Sequence, residues 1–386
     1  MAPRFPLPAN KGDKLRVYHQ LRLLSRRHSV SLLALSDEPV AAEDVREIAG
    51  FCERLELVPL KRAASLARLA LRAPFERTPL QNIFYRSPRY ARRLDAWLAD
   101  GRFDILHGNN VRILPYLWDR PPARIVVDLT DAQTLNLRSR RALTAYPQRF
   151  VYDLELARME RYEREVAAHF RTILVSAEAD RAQLGAEHTV VLPNGVDAEV
   201  FKYAEAGREP ATVVMTGNMG YEPNVDGALW FARHVWPAVR AARSDVRWEI
   251  VGARPAPAVR ALSRLDGVTV TGAVDDVGAY LRRATLAIAP IRSGSGIQNK
   301  VLEGLASGTP MVVTRLANRA IGALDGVQLI EADEPEETSA AILRLLGDAE
   351  ARSNLARAGA AFVRERFTWE AHVATLERIY EKVLGT

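Results

Sequence analysis

The sequence predicts an α/β chain of two Rossmann-like domains, each built on a parallel sheet, and three observations carry that expectation. Short β-rich runs alternate with longer helical patterns from end to end, the order that right-handed βαβ crossovers produce. The runs are continuously apolar rather than alternating, as strands covered by helices on both faces are. At 386 residues the chain exceeds one comfortable core and suffices for two.

In order, the first half offers "VSLLAL" (30–35), "LELVPL" (55–60), "FDILHG" (103–108), "RIVVDLT" (124–130) and "RTILVS" (171–176). The second series is "TVVLP" (189–193), "TVVMTG" (212–217), "RWEIVG" (247–252), "VTVTG" (268–272), "TLAIAPI" (285–291), "PMVVT" (310–314) and "VQLIE" (327–331). Turn residues interrupt this rhythm in "LPNGVDAEVFKYAEAGREPA" (192–211), where Asn-Gly marks a tight turn. The boundary predicts an N-terminal domain over 1–190 and a C-terminal one over 191–386. The last stretch reads as an amphipathic helix, and packing back of 367–386 on the N-terminal domain is open to it. A doubly wound domain normally sets a strand before its first glycine loop. Here only eight residues, three of them proline, precede "ANKGDKLRVYHQLRLLSRRH", so that strand is expected to be short, irregular or missing.

Composition narrows the classes. No window approaches the ~18 apolar residues of a spanning helix, and "MAPRFPLPANKGDK" lacks the apolar core of a signal peptide. One cysteine, Cys52, excludes an internal disulfide and fits a reducing cytoplasm. A net charge of +6 and a pI near 9.5 favour anionic partners. The basic residues are dispersed and no aromatic-basic motif accompanies them, which sets nucleic acid aside.

The densest chemistry lies in "SGSGIQNKVLEGLASGTPMVVT" (293–314). A glycine loop follows a strand and feeds a helix N-terminus, where free N–H groups and the dipole favour an anion. Gly294 and Gly296 allow close backbone approach, and Lys300 adds a full positive charge. Glu303, one turn on, suits a ribose diol, which donates to a fixed carboxylate. Gly308 and Pro310 stop the helix. The alternative is an ordinary βαβ connection with a surface Lys–Glu pair.

Four stretches, "NKGDKLR", "LPNGVD", "GNMGYEPNVDG" (217–227) and "GIQNKVLEGLASGTPMVV" (296–313), resemble the retaining glycosyltransferases of family four, whose fold is GT-B. The subgroup they most resemble is that of exosortase- and exopolysaccharide-associated sugar transferases. The resemblance implies facing domains, a nucleotide-sugar donor in the C-terminal one and an acceptor in the N-terminal one. It implies no metal and no cofactor, in keeping with the lack of any Asp-x-Asp pair.

Carried over position by position, Glu303 matches the ribose-contacting second glutamate of the family's paired motif. The first glutamate falls on Ser295, and backbone contacts from Ser295, Gly296, Ile297 and Gln298, with Asn299 following, stand in its place. Many relatives carry an Arg and a Lys after the glycine that ends the first C-domain strand; here Gly217 is followed by Asn218, Met219 and Asn224, none of them basic. The diphosphate then relies on Lys300, the helix N-terminus and Arg292. Gly252, Gly272 and Val274 end or follow successive strands and are expected beside the base.

In the N-terminal half, Asn10, Lys11, Gly12 and Asp13 open a helix and are candidates for acceptor or donor phosphates. His107 ends a strand at the ligand-bearing edge, and in relatives a histidine near here contacts the donor sugar; a structural histidine is the alternative. Asp128 and Asp131 could orient an acceptor hydroxyl, with helix capping the alternative for Asp131. The basic amphipathic stretch 61–72 and "RSRRAL" (138–143) suit peripheral contact with an anionic inner-membrane face, or else a solvated helix face.

These readings predict a cytoplasmic glycosyltransferase that retains anomeric configuration. Its acceptor would be a glycan, lipid-linked glycan or small molecule. A non-catalytic nucleotide-sugar-binding protein and a GT-B-fold sugar-nucleotide epimerase are the competing functions.

Overall fold

The computed structural model describes residues 1–9, 12–101, 103–144, 146–294 and 296–385. It divides into two compact units, Met1–Pro193 with Trp369–Thr386, and Asn194–Thr368. Each expected apolar run contains a strand. The first unit holds β1 (Ser31–Ser36), β2 (Arg54–Pro59), β3 (Leu106–Asn109), β4 (Ile125–Thr130), β5 (Ile173–Val175) and β6 (Thr189–Val191). The second holds β7 (Thr212–Thr216), β8 (Arg247–Val251), β9 (Val268–Gly272), β10 (Leu286–Ala289), β11 (Met311–Val313) and β12 (Ile330–Glu331).

All strand pairings are parallel. The first unit pairs β1 with β2 and orders the rest β3-β4-β5-β6. The run "TVVLP", expected to open the second series, instead forms β6 and pairs with β5, Ile173 opposite Thr189. It directly follows the helix Glu178–Leu184, so it completes one more crossover before the turn residues begin. In place of a first strand, expected to be short, irregular or missing, Ala2 alone forms an isolated parallel bridge, to Ala34. Met1 and Ala2 exchange backbone hydrogen bonds with Leu33 and Leu35 on β1 and Asn109 on β3, joining the two sheets.

The second unit has the order β12-β11-β10-β7-β8-β9. Successive side chains of a strand point to opposite faces, and both faces are covered. Val213, Met215, Trp248, Ile250, Leu286 and Ile288 enter one core cluster with Phe231 and Ile342 from helices. Val214, Val251, Ala287 and Ala289 enter the other with Val301, Leu302 and Leu305. This arrangement explains the continuous apolar runs.

In the first unit the closing helix Trp369–Leu384 packs with the helix Gly12–Leu24 through Leu23, Leu24, Val373, Leu376 and Ile379. Beneath that contact runs a buried polar network. Arg16 donates through Nε to Asp128 Oδ2 at 2.6 Å and through Nη1 to the Leu192 carbonyl at 2.7 Å. Gln20 Nε2 lies 3.1 Å from both Asp128 Oδ2 and His372 Nε2, and His372 Nδ1 lies 2.8 Å from the Pro193 carbonyl. The carbonyl can only accept, so His372 carries its proton on Nδ1 and accepts from Gln20 on Nε2. Burial opposes ionisation of Asp128, yet Arg16 and His107 hold its carboxyl well below the usual carboxylate range.

Asp128→Ala would leave the Arg16 guanidinium buried without its carboxylate, a loss of about 3–5 kcal/mol in urea unfolding. Replacing both by Met and Leu should return most of that loss. Because the Asp128 pKa is depressed, its contribution is complete above the unfolded carboxylate range and disappears only in strong acid. An unchanged unfolding midpoint in Asp128→Ala would show that the network is not holding the unit together.

Candidate functional site

In the second unit the chain order reverses beside β7, with β8 on one side and β10 on the other. Ligands of open α/β sheets bind outside the carboxyl ends of the strands at such a switch point. Gly217, Gly252 and Gly272 stand there in a row, ending or following β7, β8 and β9. Gly217 N–H donates to the Val251 carbonyl at 3.1 Å, and Gly252 N–H to the Gly272 carbonyl at 3.0 Å. Gly217 and Gly252 both have φ of 147°, and any side chain on Gly252 would collide with the Gly217 carbonyl. Only glycine fits these two ends. Gly272 faces open space, while Val274 is partly packed into the core.

Two helices from opposite faces of the sheet meet over β7. Asn299–Ala306 carries Lys300 and Glu303, and Glu222–His234 carries Asn224. Lys300 Nζ donates to Asn224 Oδ1 at 2.7 Å and to Gln298 Oε1 at 3.1 Å. The lysine stem crosses Gly217 so closely that a Cβ there would lie 3.3 Å from Lys300 Cε and 2.8 Å from Asn224 Nδ2. Gln298 occupies the N-cap position; its carbonyl accepts from Val301 N–H at 2.9 Å, while its side chain caps none of the first-turn amides. Burial lowers the Lys300 pKa to about 8 against the opposing pull of Glu303; burial likewise raises Glu303 to about 7 against Lys300. Two half-buried groups of opposite sign thus face one another near neutrality.

The remaining donor-side residues fall around them. Asn218 Oδ1 accepts from Gly220 N–H at 3.1 Å, and Met219 is wholly buried, its N–H donating to the Ala253 carbonyl and its carbonyl accepting from Ala256 N–H. Ile297 packs on the core, and Asn299 Oδ1 accepts from Asn194 Nδ2 at 3.4 Å. The motifs "LPNGVD", "GNMGYEPNVDG" and "GIQNK" therefore converge. Gly294 and Gly296 adopt φ of 112° and 77°, the permissive conformations expected of the loop. Ser295 lies outside the described residues. Arg292 is half exposed, 3.8 Å from Asp226 and 5.6 Å over the Trp230 ring.

The first-unit candidates lie around Asp128, and the charges of Asp13 and Asp128 both act on Asp131. His107 Nδ1 lies 2.7 Å from the Tyr380 hydroxyl, and its Nε2 lies 3.5 Å from Asp128 Oδ2. Burial lowers its pKa, with Asp128 opposing. Asp128 is buried with both oxygens engaged, Oδ1 accepting from Thr130 N–H at 3.2 Å. Asp131 accepts from the Ser176 hydroxyl at 2.8 Å and does not cap the next helix, whose N-cap is Ala132. Burial raises the pKa of both Asp131 and Asp180. Thr130, between Asp128 and Asp131 in the chain, has φ of 65°, a strained geometry for a β-branched residue. Gly12 begins its helix, and Asp13 pairs with Arg4 at 3.3 Å. Asn10 and Lys11 lie outside the described residues.

A family model described as glycosyl transferases group 1 matches residues 210–348, the stretch that contains Gly217, Asn224, Lys300 and Glu303. The phosphatidyl-myo-inositol mannosyltransferase of Mycobacterium tuberculosis is 28% identical over 383 residues, covering 94% of this chain and 90% of its own length. HepE of Anabaena, solved in complex with UDP and glucose, aligns with a TM-score of 0.67 at 14% identity, covering 99% of this chain and 98% of its own. WaaG, a glycosyltransferase involved in lipopolysaccharide biosynthesis, gives 0.66 at 14% identity, with 100% and 99% covered. The chain is a glycosyltransferase with the GT-B fold, similar to the group 1 enzymes that its motifs resemble.

A phosphate ligand favours protonated Lys300, so its affinity should fall by about tenfold per pH unit above the lysine's apparent pKa near 8. Nucleoside-diphosphate titrations from pH 7 to 10 would record this limb, and Lys300→Met should abolish it. A falling limb that survives in Lys300→Met would assign the anion to another group.

Proposed function

We propose that this glycosyltransferase moves a sugar from a nucleoside-diphosphate sugar to a hydroxyl acceptor, with retention of configuration and without a metal. The observation that carries the reading is the Lys300 ammonium held over Gly217 beside an N-terminal helix turn that its N-cap side chain leaves uncapped. Such a site offers one full positive charge and several oriented N–H dipoles to a diphosphate. Glu303 supplies a carboxylate for the ribose hydroxyls.

In the reaction the bond from the anomeric carbon to the diphosphate oxygen breaks, and negative charge grows on the leaving group. Preorganised donors in a partly desolvated site stabilise that charge more than they stabilise the bound substrate. The acceptor oxygen bonds to the anomeric carbon from the face that the diphosphate leaves. Its proton passes to the departing phosphate, which removes the need for a strong protein base. The UDP in HepE and the similarity to a mannosyltransferase support the donor class. Acceptor binding is assigned to the first unit, around Gly12, Asp13 and Asp131, with His107 and Asp128 behind them as buried support.

The acceptor class we propose is a glycan or lipid-linked glycan of an exopolysaccharide pathway, met at a membrane face. Leu71 and Phe75, on and after the helix Arg62–Arg72, are strongly exposed, as are Phe150 and Val151 on the helix Gln148–His169. Arg158 ties the two segments by donating to the Ala73 and Thr78 carbonyls. Arg62, Arg68, Arg72 and Arg149 lie on the same two helices. Exposed apolar side chains among arginines suit an anionic bilayer surface. Among the described residues no helix is long and apolar enough to cross a membrane.

A thermal-shift panel of UDP, GDP, ADP and dTDP should raise the melting temperature for one base. The matching sugar nucleotide should then give a product of unchanged anomeric configuration by NMR, in EDTA. Binding without turnover would make this a nucleotide-sugar-binding protein, and product from donor alone would make it an epimerase. Leu71→Asp/Phe75→Asp should release the protein from vesicles of anionic lipid in a flotation assay while leaving nucleotide binding unchanged. Equal flotation of variant and wild type would remove the membrane reading.

A further inference from the structure

The stretch "GNMGYEPNVDG" contains no lysine or arginine, yet it is built against the loop that carries Arg292 and Lys300. Asn224 Oδ1 accepts from Lys300 Nζ at 2.7 Å. Its Nδ2 donates to the Asn218 carbonyl at 2.8 Å. Because the amide nitrogen is committed to a carbonyl, which can only accept, the amide cannot flip, and its oxygen must face the lysine. Asn224 is itself buried.

Other contacts run in register beside this one. Gly294 lies 3.8 Å, measured from its Cβ position, from Pro223, and Arg292 lies over Trp230 beside Asp226. Gly227 abuts the Pro290 carbonyl so tightly that a methyl group would displace it. From Pro223 to Trp230 one helix face therefore follows the loop from Gly294 back to Pro290. The side chain that reaches past the loop to the charged group is Asn224.

We propose that Asn224 is the positioning residue of the donor site, fixing Lys300 across the end of β7 where the diphosphate binds. The proposal rests on the donor-site reading above. Lys300 has a long, flexible stem, and an ammonium without acceptors would swing out to water. Two fixed oxygens, from Asn224 and Gln298, hold it at the strand end and leave its third N–H for a phosphate. Lys300 also faces Glu303 from its own helix, with Arg292 and Asp226 the nearby charges of the loop and the facing helix.

The chain has six lysines, so 13Cε-lysine NMR can follow Lys300 directly, with Lys300→Arg giving the assignment. Asn224→Leu removes an acceptor from a half-buried cation and should lower the pH at which Lys300 titrates. Asn224→Asp places a carboxylate there and should raise it. A merely structural asparagine would move the melting temperature and leave this titration alone. With inorganic pyrophosphate as the probe, Asn224→Leu should bind about tenfold more weakly or worse, and with the sugar donor kcat should fall more than KM rises. Unchanged titration and unchanged pyrophosphate affinity in both variants would overturn the proposal, as would shifts of the same sign. If Asn224→Leu fails to fold, Asn224→Asp and Asn224→Ser decide the same question. If the titrations move as expected but the wild-type chain binds neither pyrophosphate nor any nucleoside diphosphate, the positioning stands and the donor-site reading fails.

Discussion

A half-buried ammonium has to find oxygen acceptors, and Lys300 finds them only because β7 is followed by a residue without a side chain. The helices bearing Lys300 and Asn224 cover opposite faces of the sheet, so their side chains can meet only around its edge. Gly217 is the gap through which they do so, and Gly252 must be glycine in turn because Gly217 presses its carbonyl on it. From this one crossing follow the close approach of the loop after β10, the uncapped turn at Asn299, and the near-neutral titration of Lys300 and Glu303. A bulkier residue at the end of β7 would separate the helices and return the lysine to solvent.

The two units hold buried polar groups in contrasting ways. Around Asp128 the network is saturated: carboxylate, guanidinium, amide and imidazole exchange hydrogen bonds in the first unit's interior. Such a cluster rigidifies and offers little to a ligand. Around Lys300 the groups are only partly desolvated, and no side chain caps the first turn of its helix. His107, placed by its strand position near the reaction, joins this network through Tyr380 on Nδ1, while its buried Nε2 lies 3.5 Å from Asp128 without a hydrogen bond.

The secondary structure was legible because continuous apolar runs and glycine-terminated helices are local signals. Each run contains a strand, and Gly308 has the left-handed φ of 69° that its place after Ser307 implied. The membership of β6 was not legible, since its three residues carry no mark of which sheet they join. At the site, Lys300, Glu303 and the glycine row could be named from type and spacing. Asn224 could not be given its task, because its partner lies 76 positions away and an asparagine after proline reads equally well as a helix start. Arg16, which anchors Asp128, was likewise hidden among the many arginines of a basic chain.

The path of the backbone between the units has a consequence for how the molecule is made. The second unit is an unbroken stretch, and its ends are stitched together where Val196 N–H donates to the Phe367 carbonyl at 2.8 Å. It can therefore complete itself from a contiguous piece of nascent chain. The first unit cannot. His372 and Tyr380, which supply partners to Gln20 and His107, are synthesised after the whole of the inserted stretch. Gln20 and the Leu23–Leu24 face thus wait for their interior until the inserted unit has been made, and need protection from water and from other chains over that interval.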